Sequence, residues 1–428
     1  PSDLRRQRQM CIRDRCRNGY HCPPSSNAAQ IVKQGISLRD YFETQPKRAV
    51  FASFFLYAFS LGTLFPRLGD LQTIMGIDKA TLGFALVGLP FGVQLTLLFA
   101  DRIVRKINFR YILIIGIPLL SISQCFAALS QSPYTFAGIL VLGGAAIAVI
   151  EVAVNLEADR IEAHSGHRIM NRSHAYWSFG FFGAGITGAG FSQIAILPFL
   201  NFSMITVFVS LITFLLFKNY EPAKPRREGV VSQNKGFVWP SRGIFMLVFF
   251  SLSAMLVEGA SIDWSVIFMR DTFNTVPIIG GLSLALAAIA QGIVRYFADQ
   301  FVDRYGPEKV SLYSLTAMVV GVGCVVFAPE PVTALLGFLL MGGGSAVIFP
   351  LAMSAAAQRS EKTPEENVAS LAQFVFVIFL LAPPILGFIG EHLGLRWSFA
   401  LCFPLLIISY FTVSSLNPVS YTHLRAHE

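Results

Sequence analysis

Charge is scarce in this chain. Asp, Glu, Lys and Arg supply 14% of its 428 residues, against about 25% in a soluble globular domain. That leaves too little polar surface to cover a water-facing globule of this size, and it sets aside the two or three soluble domains that length alone would suggest. Cysteine is sparse, six in all. Cys11, Cys16 and Cys22 crowd near the start beside His21, at spacings that match no zinc pattern. Cys125, Cys324 and Cys402 lie singly within apolar stretches, where a thiol behaves as a small hydrophobe, so no disulfide framework is expected. Neither HExxH nor GxSxG occurs, and there are only seven histidines; hydrolysis loses its usual carriers. The glycine pieces at 143–144 and 342–344 lack a following Lys-Ser/Thr and a preceding strand. That excludes a phosphate-cradling loop and leaves close helix packing as their role. The expectations are no enzyme, no cofactor and no metal.

What fills the chain instead is apolar. Hydrophobic residues make up 54% of it, with 39 phenylalanines. They fall into twelve runs, at 49–65, 81–100, 111–129, 134–156, 173–193, 198–217, 243–268, 276–297, 310–328, 332–353, 368–390 and 397–414. A bilayer core takes about 20 apolar residues in helical form. Backbone in lipid must satisfy its own hydrogen bonds, so such runs are helices or strands of a closed barrel. Barrel strands are about 10 residues long and alternate; these runs are longer and apolar all round, so helices are predicted.

The formal net charge of +8 invites a nucleic-acid partner, but much of the excess lies in the first 30 residues and most of the rest in loops between the runs, where it sets orientation. No nucleic acid is expected. One set of loops carries Lys47, Arg48, Arg102, Arg105, Lys106, Arg110, Arg160, Arg168, Arg172, the cations of 218–242, Arg304, Lys309, Arg359 and Lys362; the other carries only Arg67, Lys79, Arg270 and Arg396. Both termini and the central loop are thereby expected in the cytoplasm, in a multi-pass protein of the cytoplasmic (inner) membrane.

Residues 1–27 and 417–428, with MCIRDR and VSYTHLRAHE, resemble sequencing-adapter read-through and are expected to be non-native. Between them come a cytoplasmic segment at 28–47, a six-helix bundle at 48–217, a flexible linker at 218–242 and a second bundle at 243–416. A repeat supports the halving: FADRIVRK at 99–106 and FADQFVDR at 297–304 each close the second helix of a half. Two parallel six-helix repeats are one build of secondary transporters.

With those motifs, the chain resembles the major facilitator superfamily. That family carries G-x-x-x-D-R-x-G-R-R between helices 2 and 3; Asp101, Arg102, Arg105 and Lys106 match it, while Leu97 and Val104 stand at its glycines. The second copy reads Asp303-Arg304-Tyr305-Gly306, shifted by four from Asp299. The antiporter Gly-Pro signature of helix 5 is absent. The segments EGASIDWSVIFMRD (258–271), AVNLE (153–157) and MNRSHAYWSFG (170–180) resemble a bacterial subgroup near the YbjJ-like and fucose-permease-like transporters. The resemblance implies an all-α membrane protein with twelve transmembrane helices in two pseudo-symmetric six-helix bundles, helices 1, 4, 7 and 10 lining a central cavity. It also implies that Asp101, Arg102, Arg105, Lys106, Asp299, Asp303 and Arg304 form a cytoplasmic gate, so that Asp101→Asn should slow transport and spare folding.

Candidate solute- or proton-coupling residues are polar groups inside apolar runs. Glu258 lies near the middle of the seventh run, where a charged carboxylate costs at least about 2.5 kcal/mol. It could load and release a coupling proton, or be a structural carboxylate bonded to a neighbouring helix. Asp263, five residues on, points to a different helix face; Trp264 could stack on a sugar ring or fill space. Glu151 and Asn155 share a face of the fourth helix. His174, which titrates near physiological pH, could relay protons to Glu151, or sit at the membrane boundary beside Trp177. Gln94, Gln291 and Gln373 either bind solute or join helices, and Tyr57 could bind solute. Glu157 and Arg160 read as a gate ion pair or as solvated charges.

The expected function is a monomeric secondary active transporter moving a small polar solute, such as a sugar, by alternating access in the lipid bilayer, with proton coupling. The alternative is an exporter of drug-like or metabolite molecules; the remote alternative is a transporter-like sensor, for which no signalling domain is legible.

Overall fold

The computed structural model describes residues 46–224 and 239–417. The leader, the N-terminal segment up to 45, the middle of the central loop and the tail from 418 lie outside the described residues. Every element among the described residues is helical. The first half holds α1 (Pro46–Met75), α2 (Lys79–Leu86 continued by Gly88–Lys106), α3 (Phe109–Ala128), α4 (Pro133–Ser165), α5 (Met170–Gln193) and α6 (Pro198–Phe217). The second holds α7 (Arg242–Phe273), α8 (Pro277–Tyr305), α9 (Pro307–Val326), α10 (Pro331–Ala357), α11 (Pro364–Val375 continued by Val377–His392) and α12 (Leu395–Leu416).

Local chemistry sets these boundaries. Proline opens α4, α6, α8, α9, α10 and α11, the position where its missing N–H is harmless. Asp78, Asn108, Ser132, Ser241 and Thr363 cap helix starts with side-chain acceptors. At Asp78, hydrogen bonds from Thr81 hold the carboxyl below its ordinary pKa. Pro66 interrupts α1 with a short 3-10 turn over Phe65–Arg67.

Among the described residues, eleven helices are long and apolar enough to cross a membrane. The remaining one, α5, is 24 residues long, but its GFFGAGITGAGFSQ stretch dilutes apolar side chains with glycine. The reason lies in what α5 touches. It packs on α1 and, across the molecule, on α8. A Cβ on Gly281 of α8 would run into Ala189 of α5, so these backbones meet directly. The equivalent seam joins α2 to α11, where a Cβ on Gly83 would strike the Pro383 carbonyl. The halves thus meet along two related seams, α5–α8 and α2–α11. Within the halves α2 packs on α4 and α8 on α10, with Gly144 against Leu89 and Gly342 against Ala287.

The face holding the α2–α3, α4–α5 and α8–α9 turns, here the basic face, also holds both described chain ends. The central loop leaves it pinned: Glu157, fully buried, accepts hydrogen bonds from the Tyr220 hydroxyl at 2.9 Å and the Ala223 amide at 2.7 Å, and Arg160 stands 3.5 Å away. Of the two surface readings for Glu157, the ion pair with Arg160 is present, but the carboxylate is a buried anchor for the start of the loop. Burial and the adjoining carboxylate push the Tyr220 hydroxyl well above its ordinary pKa, so it stays a neutral donor.

Candidate functional site

The polar centre is built around Arg295 of α8, which sequence reasoning did not single out. Its guanidinium lies 3.4 Å from the Glu258 carboxylate of α7, with the two side chains 10% and 11% exposed. It also donates to the Ser178 hydroxyl of α5 at 3.3 Å and to the Ala346 carbonyl of α10 at 3.2 Å. That carbonyl is free for a chemical reason. Residue 350 is proline and has no N–H to give to the carbonyl four residues back. The helix breaks there, between Pro331–Ser345 and Ile348–Ala357, and Arg295 takes the vacated acceptor. Glu151 of α4 is the second carboxylate in electrostatic range of Arg295. One cation therefore answers to carboxylates from both halves.

A chain of polar contacts runs from Glu151 through the first half. Asn155 donates to the Glu151 carboxylate at 3.0 Å, and His174 Nε2 meets the Asn155 side-chain oxygen Oδ1 at 3.1 Å. The His174 ring stands edge-on to Phe54. The buried Tyr57 has both Glu151 and Trp177 as partners. Gln291 accepts from Ser178 at 2.9 Å, which joins it to Arg295. Thus Glu258, Gln291, Glu151, Asn155, His174, Tyr57 and Trp177, scattered over five helices, converge. Four candidates stand apart. Trp264 is fully buried, its ring against Gly387 of α11, and lines neither cavity described below. Asp263 has no hydrogen-bond or ion-pair partner among the described residues. Gln94 is half-buried with no such partner, and Gln373 is exposed.

Two cavities flank the ion pair. A chamber of about 20 Å³, lined by Glu258, Gln291, Trp177, Phe181, Ser261 and Ser345 among others, lies at mid-depth and has room for about one water. A second cavity of about 420 Å³ runs from Arg295 to Glu162, Arg168, Asp299 and Asp303 at the basic face. The Glu258–Arg295 pair stands between them.

The opposite face is locked by contacts between the halves. Arg270 at the end of α7 donates to the Gly69 carbonyl at 2.9 Å and to Gln72 at 2.7 Å on α1. Lys79 at the start of α2 pairs with Asp271 at 3.3 Å and with Glu391 of α11 at 3.4 Å. The Ile278 amide of α8 donates to Gln193 of α5 at 3.3 Å. At the basic face the halves touch through Asn171 and Asp299 at 2.6 Å and, loosely, through Arg168 and Asp303 at 4.0 Å. Arg102, Arg105 and Lys106 are exposed at the end of α2, Arg304 lies over the Tyr305 ring, and the side chain of Asp101 lies outside the described residues. The gate residues predicted at the basic face would pair when that face is shut; in this conformation the closed gate is the one at the opposite face. Its signal in the sequence was slight: three of the four cations on that side, Arg67, Lys79 and Arg270, each lie near a carboxylate. Arg67 bonds Asp70 at 2.7 Å within α1.

Residues 246–425 match the family model described as Major Facilitator Superfamily. A protein of Sinorhizobium fredii described as an uncharacterized transporter is 29% identical over 381 residues, which span 87% of this chain and 98% of the relative. An uncharacterized MFS-type transporter of Yersinia pestis is 25% identical over 359 residues, 83% of this chain and 92% of the relative. The crystal structure of a D-xylose-proton symporter aligns with a TM-score of 0.69 at 11% identity, covering 88% of this chain and 97% of the other. At that identity the likeness speaks for the fold alone. The chain has the major facilitator fold, and the match over its second half together with these relatives supports a multi-pass membrane transporter of the Major Facilitator Superfamily type.

Proposed function

We propose that the protein is a proton-coupled secondary transporter of a small polar solute, a sugar being the favoured class, working by alternating access. The observation that carries this reading is the Glu258–Arg295 pair at 3.4 Å, set between a mid-depth chamber and a cavity that reaches the basic face. The basic face is read as cytoplasmic, with both termini on that side of an inner membrane, and the working unit as a monomer. The conformation is then inward-facing.

The coupling step follows from charge. While Glu258 is ionised it holds Arg295 to α7. A proton on Glu258 removes that attraction and leaves Glu151 as the nearest anion, so Arg295 is drawn toward the first half. A cation that changes partners between halves biases their relative position, which is what coupling requires. Trp177 and Phe181, ring centroids 4.3 Å apart, offer an aromatic face, and Gln291, Ser261 and Ser345 offer hydrogen-bonding groups; that combination suits a hydroxylated ring. The 20 Å³ chamber is too small for one, so solute binds once the halves part at mid-depth. The cavity of about 420 Å³ falls within the range of small-molecule sites.

The solved D-xylose-proton symporter, of the same fold, is by its description a sugar-proton symporter; the same class of solute and of ion is proposed for this chain on the polar and aromatic groups named above. The narrower likeness to fucose-permease-like transporters is kept as a proposal on the same footing. The test is a panel of sugars and nucleosides screened for thermal stabilisation of the purified protein, followed by uptake of each hit into proteoliposomes with and without an inward-directed proton gradient. Accumulation above equilibrium only with the gradient supports the reading; accumulation indifferent to it overturns proton coupling.

A further inference from the structure

A third cavity has no part in the pathway above. It is an open groove of about 730 Å³ on the outer surface of the second half, between α8, α9 and α10. Its walls are apolar, with Ile293, Val294, Phe301 and Gly343 among them, and it ends near the basic face at Tyr305 and Tyr313. From Ile289 to Tyr305 it follows α8 for about 24 Å, from mid-depth to the membrane boundary, the depth that a lipid of one leaflet occupies. The groove exists because α8 and α10 part. They touch backbone to backbone at Ala287 and Gly342. One residue on, a Cβ at Gly343 would meet only Val294 at 3.7 Å and Ala290 at 3.8 Å, and beyond it Pro350 breaks α10.

Charge at its mouth tells what fits. Lys309 is one turn from Tyr313 and Arg304 is three residues from Phe301, so both lie on the groove's side of their helices. Both are exposed, and neither has an ion-pair partner among the described residues. Arg304 lies over the Tyr305 ring at 5.2 Å. An apolar trough crowned by two cations and two tyrosine hydroxyls matches a lipid with an anionic headgroup. We propose that the groove is a binding site for one anionic phospholipid of the basic-face leaflet, its acyl chain along α8 and its phosphate at Arg304 and Lys309. The occupant also has a structural consequence. Ala298 and Val347 line both this groove and the 420 Å³ cavity, so the acyl chain backs a wall of the pathway that is one side chain thick.

The test uses the full chain in nanodiscs of phosphatidylcholine with a minority of phosphatidylglycerol carrying a diazirine in its acyl chain. Photolabelled peptides are mapped by mass spectrometry. Label should concentrate on 289–305 and 339–347 over the lipid-facing sides of α3 and α6. Gly343→Leu, which fills the trough, should lower that label several-fold, and Gly343→Ala should keep it. Arg304→Gln with Lys309→Gln should abolish the preference for phosphatidylglycerol over a phosphatidylcholine probe. If Gly343→Leu does not fold, Ala290→Leu fills the same space. Label spread evenly over all outward helices, label unchanged by filling the trough, or label displaced by a transported solute would each overturn the proposal, the last by making the groove a solute portal.

Discussion

Arg295 Nε donates to the Ala346 carbonyl at 3.2 Å, an acceptor that Pro350 leaves without its helical partner. The side chain at the centre of the polar site is thereby tied to the break in α10, and a shift of Arg295 toward the first half must release that carbonyl.

Pro350→Ala returns the missing N–H to Ala346. Proline inside a helix costs about 3 kcal/mol or more, part of which the break already relieves, so the variant should unfold at the same temperature or higher. Uptake should nevertheless fall several-fold, because a continuous α10 competes with Arg295 for the carbonyl. Thermal unfolding measured beside initial uptake rates checks both halves of this expectation.

Lys79→Gln removes two ion pairs from the lock on the opposite face. Each partly exposed pair contributes about 0.2–1 kcal/mol, so together they shift the balance of conformations by up to about thirtyfold. Spin labels at Ile77 and the exposed Leu393, on either side of that lock, should show a larger population at long distance in the variant than in the wild type. An unchanged distance distribution would count against the lock.

Glu157 and Tyr220 are expected to act on stability and loop anchoring rather than on coupling. Tyr220→Phe removes one buried hydrogen bond, worth about 1 kcal/mol. The folded Tyr220 has a raised pKa, so its contribution is fully present below the ordinary tyrosine value of about 10 and is lost as pH rises above it. The stability gap between wild type and Tyr220→Phe should stay constant from neutral pH to about 9 and shrink above 10. Urea titration at a series of pH values measures it.

Most of the helical frame was legible in the sequence because lipid leaves few choices. The run at 198–217 coincides with α6, bounded by Pro198 and Lys218. Sequence resolved α4 and α7 less well, because both helices continue past their apolar runs into polar residues that fold back on the protein, Glu157 and Arg270 among them. Glu258, Glu151, Asn155 and His174 stood out as polar groups in apolar surroundings. Arg295 did not, for a geometric reason. It sits two residues from the end of the run at 276–297, where charged residues commonly flank a span, but α8 continues to Tyr305 and carries it well inside. Its acceptor depends on Pro350, fifty-five positions away, a relation visible only in three dimensions. The lock on the opposite face was obscure for a related reason: a shortage of cations reads as topology, and only the fold shows that two of those present, Lys79 and Arg270, bridge the halves.

Glu258→Gln keeps the shape of the carboxylate and removes both its charge and its proton chemistry. The decisive measurement compares wild type and this variant in proteoliposomes, using a solute from the stabilisation screen, by gradient-driven accumulation and by counterflow of labelled solute. The expected result is counterflow close to wild type with accumulation abolished; accumulation at the wild-type level in Glu258→Gln would contradict the assignment of proton coupling to the Glu258–Arg295 pair.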